Sequence, residues 1–152
     1  MKNASVKQAL TVAAFCLSVA NAGIALAHSG GGVIDAAGTN ASATDLAAVT
    51  CYDDGNGAPH HLFGQVLDAS KPVPGLLVSF QIYKGLQMIT STDAVSGDAF
   101  YSPGVSLNGG AGQYMISVSK TAAGARTFDV IWHCMTKDDI HTGTDINVYQ
   151  AQ

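Results

Sequence analysis

Short segments in which apolar and polar residues alternate follow one another through most of the chain, and this periodicity restricts the fold most strongly. The clearest segment is LLVSFQIYK (residues 76–84), where every second residue is apolar and would fall on one face. A period of two is the signature of a half-buried strand. Similar segments occur at 46–52, 61–68, 86–92, 101–107, 113–120, 126–136 and 140–150. Short strands separated by turn residues predict an all-β fold, a single immunoglobulin-like antiparallel β-sandwich of about seven or eight strands.

The first 27 residues are predicted to be a secretory signal peptide. Lys2 and Lys7 provide a positive start, residues 9–20 form a short apolar run, and ALA at 25–27 is a small-x-small cleavage site. Cleavage after Ala27 is preferred, and cleavage after Ala22 is the alternative. The mature chain would then begin at His28, with a flexible leader rich in Gly and Ala over residues 28–43 and the sandwich domain over residues 44–152.

Two cysteines remain once the signal peptide is removed. Cys16 lies within the predicted signal, which leaves Cys51 and Cys134. A pair of cysteines in an exported chain predicts a disulfide, here across the two sheets of the sandwich, with two free buried thiols as the alternative. Trp132 precedes Cys134 by two residues and would pack near the sulfurs.

The charge pattern limits the partners of the chain. All eleven acidic residues are aspartates, and the mature chain keeps five basic residues against them, for a formal charge of −6. Without a basic patch, neither nucleic acid nor an anionic membrane is an expected partner, and no membrane insertion is expected after signal cleavage.

Part of the chain resembles a known family of β-sandwiches. The segments FGQVLDASKPVPGLLVSFQIYKG, STDAVSGDAFYSPGVSL and GGAGQYMISVSKTAAG, within residues 63–124, are similar to the carboxypeptidase-regulatory-like, transthyretin-like pattern. In that pattern a strand leads through a P-V-x-G turn to an apolar strand, and G-x-Y-x-x-x-V follows. The resemblance implies a non-catalytic accessory or adhesion-type module.

No set of residues typical of catalysis is found in the sequence. There is no G-x-S-x-G elbow, and the paired aspartates at 53–54 and 138–139 occur in turn sequences, where Asp is favoured for local hydrogen bonding. We therefore do not expect an enzyme.

The histidines are the best candidates for a site. If residues 137–139 form a hairpin loop, then Met135 lies opposite His141, and His133 shares their face because Cys134 points into the core. Imidazole and thioether groups are copper ligands, and an N-terminal His28 would add an α-amine. The site residues predicted for copper are therefore His28, His133, Met135 and His141. The alternative is that they are ordinary surface residues.

His60 and His61 are candidate additional ligands. They are adjacent at the start of a predicted strand, so they point to opposite faces, and at most one of them would join any single site.

Two functions follow from these observations. The first is an exported, non-catalytic module of the bacterial envelope, a structural, assembly or binding subunit of a filament or surface, which needs no cofactor. Self-assembly or an envelope protein would provide its partner, and the leader could add as a strand to a neighbour's sheet edge. The alternative is a periplasmic copper-binding protein. Export is expected in both cases, to the periplasm, the cell surface or the medium.

Overall fold

The computed structural model describes residues 28–152, and these residues form nine β-strands without a helix. The strands are β1 (His28–Ile34), β2 (Thr44–Tyr52), β3 (His61–Asp68), β4 (Val78–Lys84), β5 (Gln87–Asp93), β6 (Val105–Asn108), β7 (Gly112–Lys120), β8 (Arg126–Met135) and β9 (Gly143–Gln150). Within this part of the chain there is no helix of the length and apolarity needed to cross a membrane. The predicted signal peptide, residues 1–27, lies outside the described residues.

The strands form two antiparallel sheets that pack face to face. One sheet has the order β1-β8-β3-β6 and the other the order β5-β4-β7-β2-β9. The predicted all-β sandwich is therefore confirmed. β8 lies between β1 and β3, so its side chains border both neighbours.

The core lies between the sheets and follows the predicted alternation. Along β8 the residues Phe128, Val130, Trp132 and Cys134 are buried, whereas the intervening residues are partly exposed. From β4 the fully buried side chains are Val78, Phe80 and Ile82. The inward face of each strand thus supplies the apolar contacts, and the outward face of β8 is free to carry polar groups.

The predicted disulfide is present. Cys51 of β2 is bonded to Cys134 of β8, with 5.5 Å between their Cα atoms. The bond joins one sheet to the other and lies directly beneath the outward-facing His133 and Met135. It holds the end of β8 against the opposite sheet.

The structure differs from the flexible leader predicted for residues 28–43. Residues 28–34 instead form strand β1, which pairs with β8 of the same chain. Glycine is required for this close approach, because a Cβ atom at Gly31 would collide with the backbone carbonyl of Phe128.

The end of β1 is anchored by an aspartate. Asp35 accepts hydrogen bonds from Lys120 Nζ at 2.8 Å and from the Gly124 amide at 2.9 Å, and both carboxylate and ammonium are buried. The Gly- and Ala-rich composition of residues 28–43 predicts flexibility, but these tertiary contacts hold the end of β1 in place.

Candidate metal centre

His133 owes its position to the alternation of β8. Its neighbours Trp132 and Cys134 point into the core, so the imidazole of His133 points away from it. Phe63 of β3 lies opposite His133, and the two rings are stacked with their centroids 6.2 Å apart and their planes 11° from parallel. The ring of Phe63 therefore lies beside the imidazole and nearly parallel to it.

His141 is positioned by the hairpin that follows β8. The Thr136 amide donates to the Ile140 carbonyl at 2.8 Å, and the Thr142 amide donates to the Cys134 carbonyl at 2.9 Å. Met135 and His141 form an isolated β-bridge, which is the pairing that the sequence predicts. Residues directly opposite each other in such a pair share a face, so His141 lies on the face that carries His133.

His28 reaches the same place from a different part of the chain. It is the first residue of β1, and its backbone lies opposite Trp132. Because β1 and the 140–142 segment both border the same edge of β8, the end of β1 comes next to His141. No spacing rule in the sequence connects residue 28 with residue 141.

The three imidazoles form a compact cluster. His28 Nδ1 lies 3.3 Å from His141 Nε2, which lies 3.2 Å from His133 Nδ1, and one nitrogen from each ring lies within 4.8 Å of the others. Two nitrogens that each bind one metal ion at about 2.0–2.1 Å and lie 3.2–3.3 Å apart subtend an angle of about 105° at the ion. Each of these two neighbouring pairs is therefore spaced as it would be around a single metal ion.

The environment of the cluster keeps the rings of His133 and His141 neutral. Burial, and then the neighbouring His141 and His28, lower the pKa of His133 to about 4. Burial is also the first cause that lowers the pKa of His141, while the nearby Asp54 opposes this effect. At neutral pH the rings of His133 and His141 are uncharged, which is the form that binds a metal ion.

His60 and His61 lie outside this cluster. His61 is on the outer face of β3, opposite Met135, and its Nδ1 lies 3.3 Å from Nδ1 of His60. Its Nε2 lies 3.5 Å from a carboxylate oxygen of Asp139. Met135 therefore lies in a row between His61 on one side and His141 on the other.

The paired aspartates occupy turns, as the sequence predicts. Asp53 accepts hydrogen bonds from the amides of Gly55 and Gly57 at 2.8 and 3.1 Å. Asp139 adopts a left-handed backbone conformation, with φ of 57°, in the turn before His141. Such turns fix the path of the chain into and out of the cluster.

Trp132 and Phe63 are two aromatic neighbours of the cluster that the sequence pattern does not mark as part of a site. The rings of Trp132, the single tryptophan of the chain, and His28 have centroids 6.4 Å apart. The stacking of Phe63 on His133 depends on the register between β3 and β8, which the sequence alone does not provide.

No protein-family model matches this chain, and no curated protein or solved structure is significantly similar to it. The fold and the cluster define it as a disulfide-linked, all-β sandwich with three convergent histidines at the end of β8.

Proposed function

We propose that this protein binds one copper ion through His28, His133 and His141 and serves as an exported, non-catalytic copper-binding protein. The observation that supports the proposal is the convergence of three imidazole nitrogens within 4.8 Å from two distant parts of the chain. Ordinary surface histidines have no reason to converge, because each ring would be better hydrated alone.

Copper is favoured over other divalent ions by the donor set. For a given set of nitrogen donors, affinity among the first-row divalent ions is highest for Cu(II). Cleavage after Ala27 would make His28 the first residue, and its α-amine would add a fourth nitrogen that forms a chelate with the imidazole. Three imidazoles and an amine match the preference of Cu(II) for nitrogen ligands.

Titration with Cu(II) and Zn(II), followed by native mass spectrometry, tests the proposal on the chain that begins at His28. We expect one Cu(II) per chain, retained against an equal concentration of Zn(II), with quenching of Trp132 fluorescence because the indole lies beside His28. Substituting His133→Ala and His141→Ala together should abolish this binding. His60→Ala is the matched control and should keep it, since His60 is not part of the cluster.

A second control isolates the amine. Adding one alanine before His28 moves the α-amine away from the imidazole, and we expect Cu(II) affinity to fall at least about tenfold, which corresponds to about 1.4 kcal/mol. Unchanged copper stoichiometry in the double variant would overturn the proposal, and a preference for Zn(II) would replace copper by zinc at the same residues.

The second candidate function, a structural or assembly subunit of the envelope, is favoured by the edge strand β9. β9 pairs with β2 on one side, and its Val148 and Tyr149 are 63% and 55% exposed. An unpaired edge with exposed apolar side chains can pair with another chain. The transthyretin-like resemblance of residues 63–124 belongs to this candidate. The same mass spectra distinguish the two functions, because a subunit would form a series of oligomers whether or not copper is added.

A further inference from the structure

We propose that His61 and Met135 form a second metal site, which binds Cu(I). It shares the copper chemistry of the proposed function but uses donor atoms outside the three-histidine cluster. Cu(I) enters this site as such, and no electron transfer between the two sites is part of the proposal.

The register of the sheet brings the two donors together. His61 lies directly opposite Met135 in the β3–β8 pair, and both side chains are on the outward face. Directly opposite residues in an antiparallel pair have Cβ atoms about 4.5–5.5 Å apart, a separation that an imidazole and a thioether can span with an ion between them.

A cavity adjoins the two donors. Its volume is about 400 Å³, and it is lined by His61, Phe63, Ser106, His133, Met135 and Asp139. It is therefore large enough for an ion with remaining water molecules, and Phe63 makes part of its wall apolar. His133 lines the cavity as well, so the two sites have a common wall.

Burial and two polar neighbours, Asp139 and His60, hold His61 in a fixed position. It is only 8% exposed, an unusual degree of burial for a histidine on the outer face of a strand. Its Nε2 points toward Asp139, whose side chain is largely exposed at the mouth of the cavity. The carboxylate would attract a cation to the mouth and offset its charge.

The choice of Cu(I) follows from the thioether. Soft sulfur ligands such as methionine select Cu(I), whereas the all-nitrogen cluster suits Cu(II). Met135 has His61 on one side and His141 on the other. The soft site is proposed on the His61 side, and the harder, all-nitrogen site is on the His141 side.

Ag(I), which has the charge and ligand preferences of Cu(I) without its redox chemistry, is the probe. We expect the complete chain from His28 to bind one Ag(I), with a shift of the Met135 methyl resonance in NMR spectra. Met135→Leu and His61→Gln should each weaken Ag(I) binding at least about tenfold and leave Cu(II) binding intact. Met88→Leu, at a methionine exposed on β5, is the matched control and should change neither.

The outcomes separate this proposal from the copper proposal. If the His133→Ala and His141→Ala double variant loses Cu(II) but keeps Ag(I), then the second site is independent. If Ag(I) affinity is unchanged by Met135→Leu, or is lost only with the cluster, then the second site does not exist, whatever the result for Cu(II). An unsubstituted chain that binds Ag(I) but no Cu(II) would overturn only the copper proposal.

Discussion

Burial and the neighbouring imidazoles together lower the pKa of His133 and His141. The effect is large at His133, because its ring is partly buried and close to the two other imidazoles. A positive charge on any of the three rings would repel a charge on the others. A single metal ion that accepts a lone pair from each ring avoids this repulsion between protonated rings. The close spacing of the imidazoles therefore disfavours their protonation and favours metal binding.

This protonation predicts how the stability of the metal-free protein depends on pH. The pKa of His133 is about 4 in the folded chain and near 6.5 when unfolded, so the unfolded chain binds more protons between these values. The free energy of unfolding therefore falls as the pH is lowered from about 6.5 to about 4. Solvent screening of the part-exposed ring reduces the full linkage effect to about 1 kcal/mol.

Urea denaturation in the presence of EDTA, at pH 7, 5.5 and 4, measures this effect. His133→Phe removes the titrating group but keeps an aromatic ring, and it should make the decrease shallower. Met88→Leu should leave it unchanged. Equal slopes in the wild type and in His133→Phe would show that the histidine is not the group responsible.

At the scale of the strands, the sequence predicted some elements closely and missed one. β3 has the predicted bounds, His61–Asp68, and β8 begins at the predicted Arg126. Both have clear alternation, so the inward face was evident from the residues alone. β1 contains three consecutive glycines, and glycine has neither strand propensity nor a side chain that could reveal a face.

Local contacts of the site could be predicted from the sequence, and long-range contacts could not. The pairing of Met135 with His141 follows from a local hairpin and was predicted from residues 133–141. The approach of His28 to His141 depends on β1 joining β8, and therefore on contacts between residues about a hundred positions apart. Sequence spacing cannot reveal a contact of that kind.

The anchor of β1 gives a prediction about this strand. Lys120 Nζ donates to Asp35 and to the carbonyls of Asn40 and Ala122, at 2.6–2.8 Å. Removing one partner of a buried ion pair leaves the other charge without compensation. We expect Lys120→Met to lower the melting temperature by on the order of 10 °C.

Hydrogen exchange should locate the effect of Lys120→Met. The amides of β1 should exchange faster than those of β3, and Cu(II) affinity should decrease because His28 is on β1. Lys71→Met, at an exposed lysine, is the control and should change none of these. Uniform acceleration across both sheets would contradict the role of this ion pair as a local anchor.

On the scale of the whole molecule, one covalent bond joins the two sheets beneath the site. The Cys51–Cys134 disulfide closes a loop with a sequence separation of 83 residues. Restriction of the unfolded chain by a loop of that length corresponds to about 4–5 kcal/mol of stability. Cys134 lies between His133 and Met135, so the bond also fixes the strand segment that carries both.

Replacing both cysteines by alanine should therefore lower the free energy of unfolding by up to about 4–5 kcal/mol. Copper should restore part of the loss, because a ligand at a hundred times its dissociation constant stabilises the folded state by about 2.7 kcal/mol. Thermal unfolding of the double variant with and without Cu(II) measures both effects, and alanine removes the thiols that would otherwise bind the metal. A melting temperature that copper does not raise in this variant, although it does in the wild type, would mean that the cluster needs the disulfide to form. An equal rise in both would mean that the strand pairing of β8 with β1 and the 140–142 segment is sufficient to hold the three histidines together.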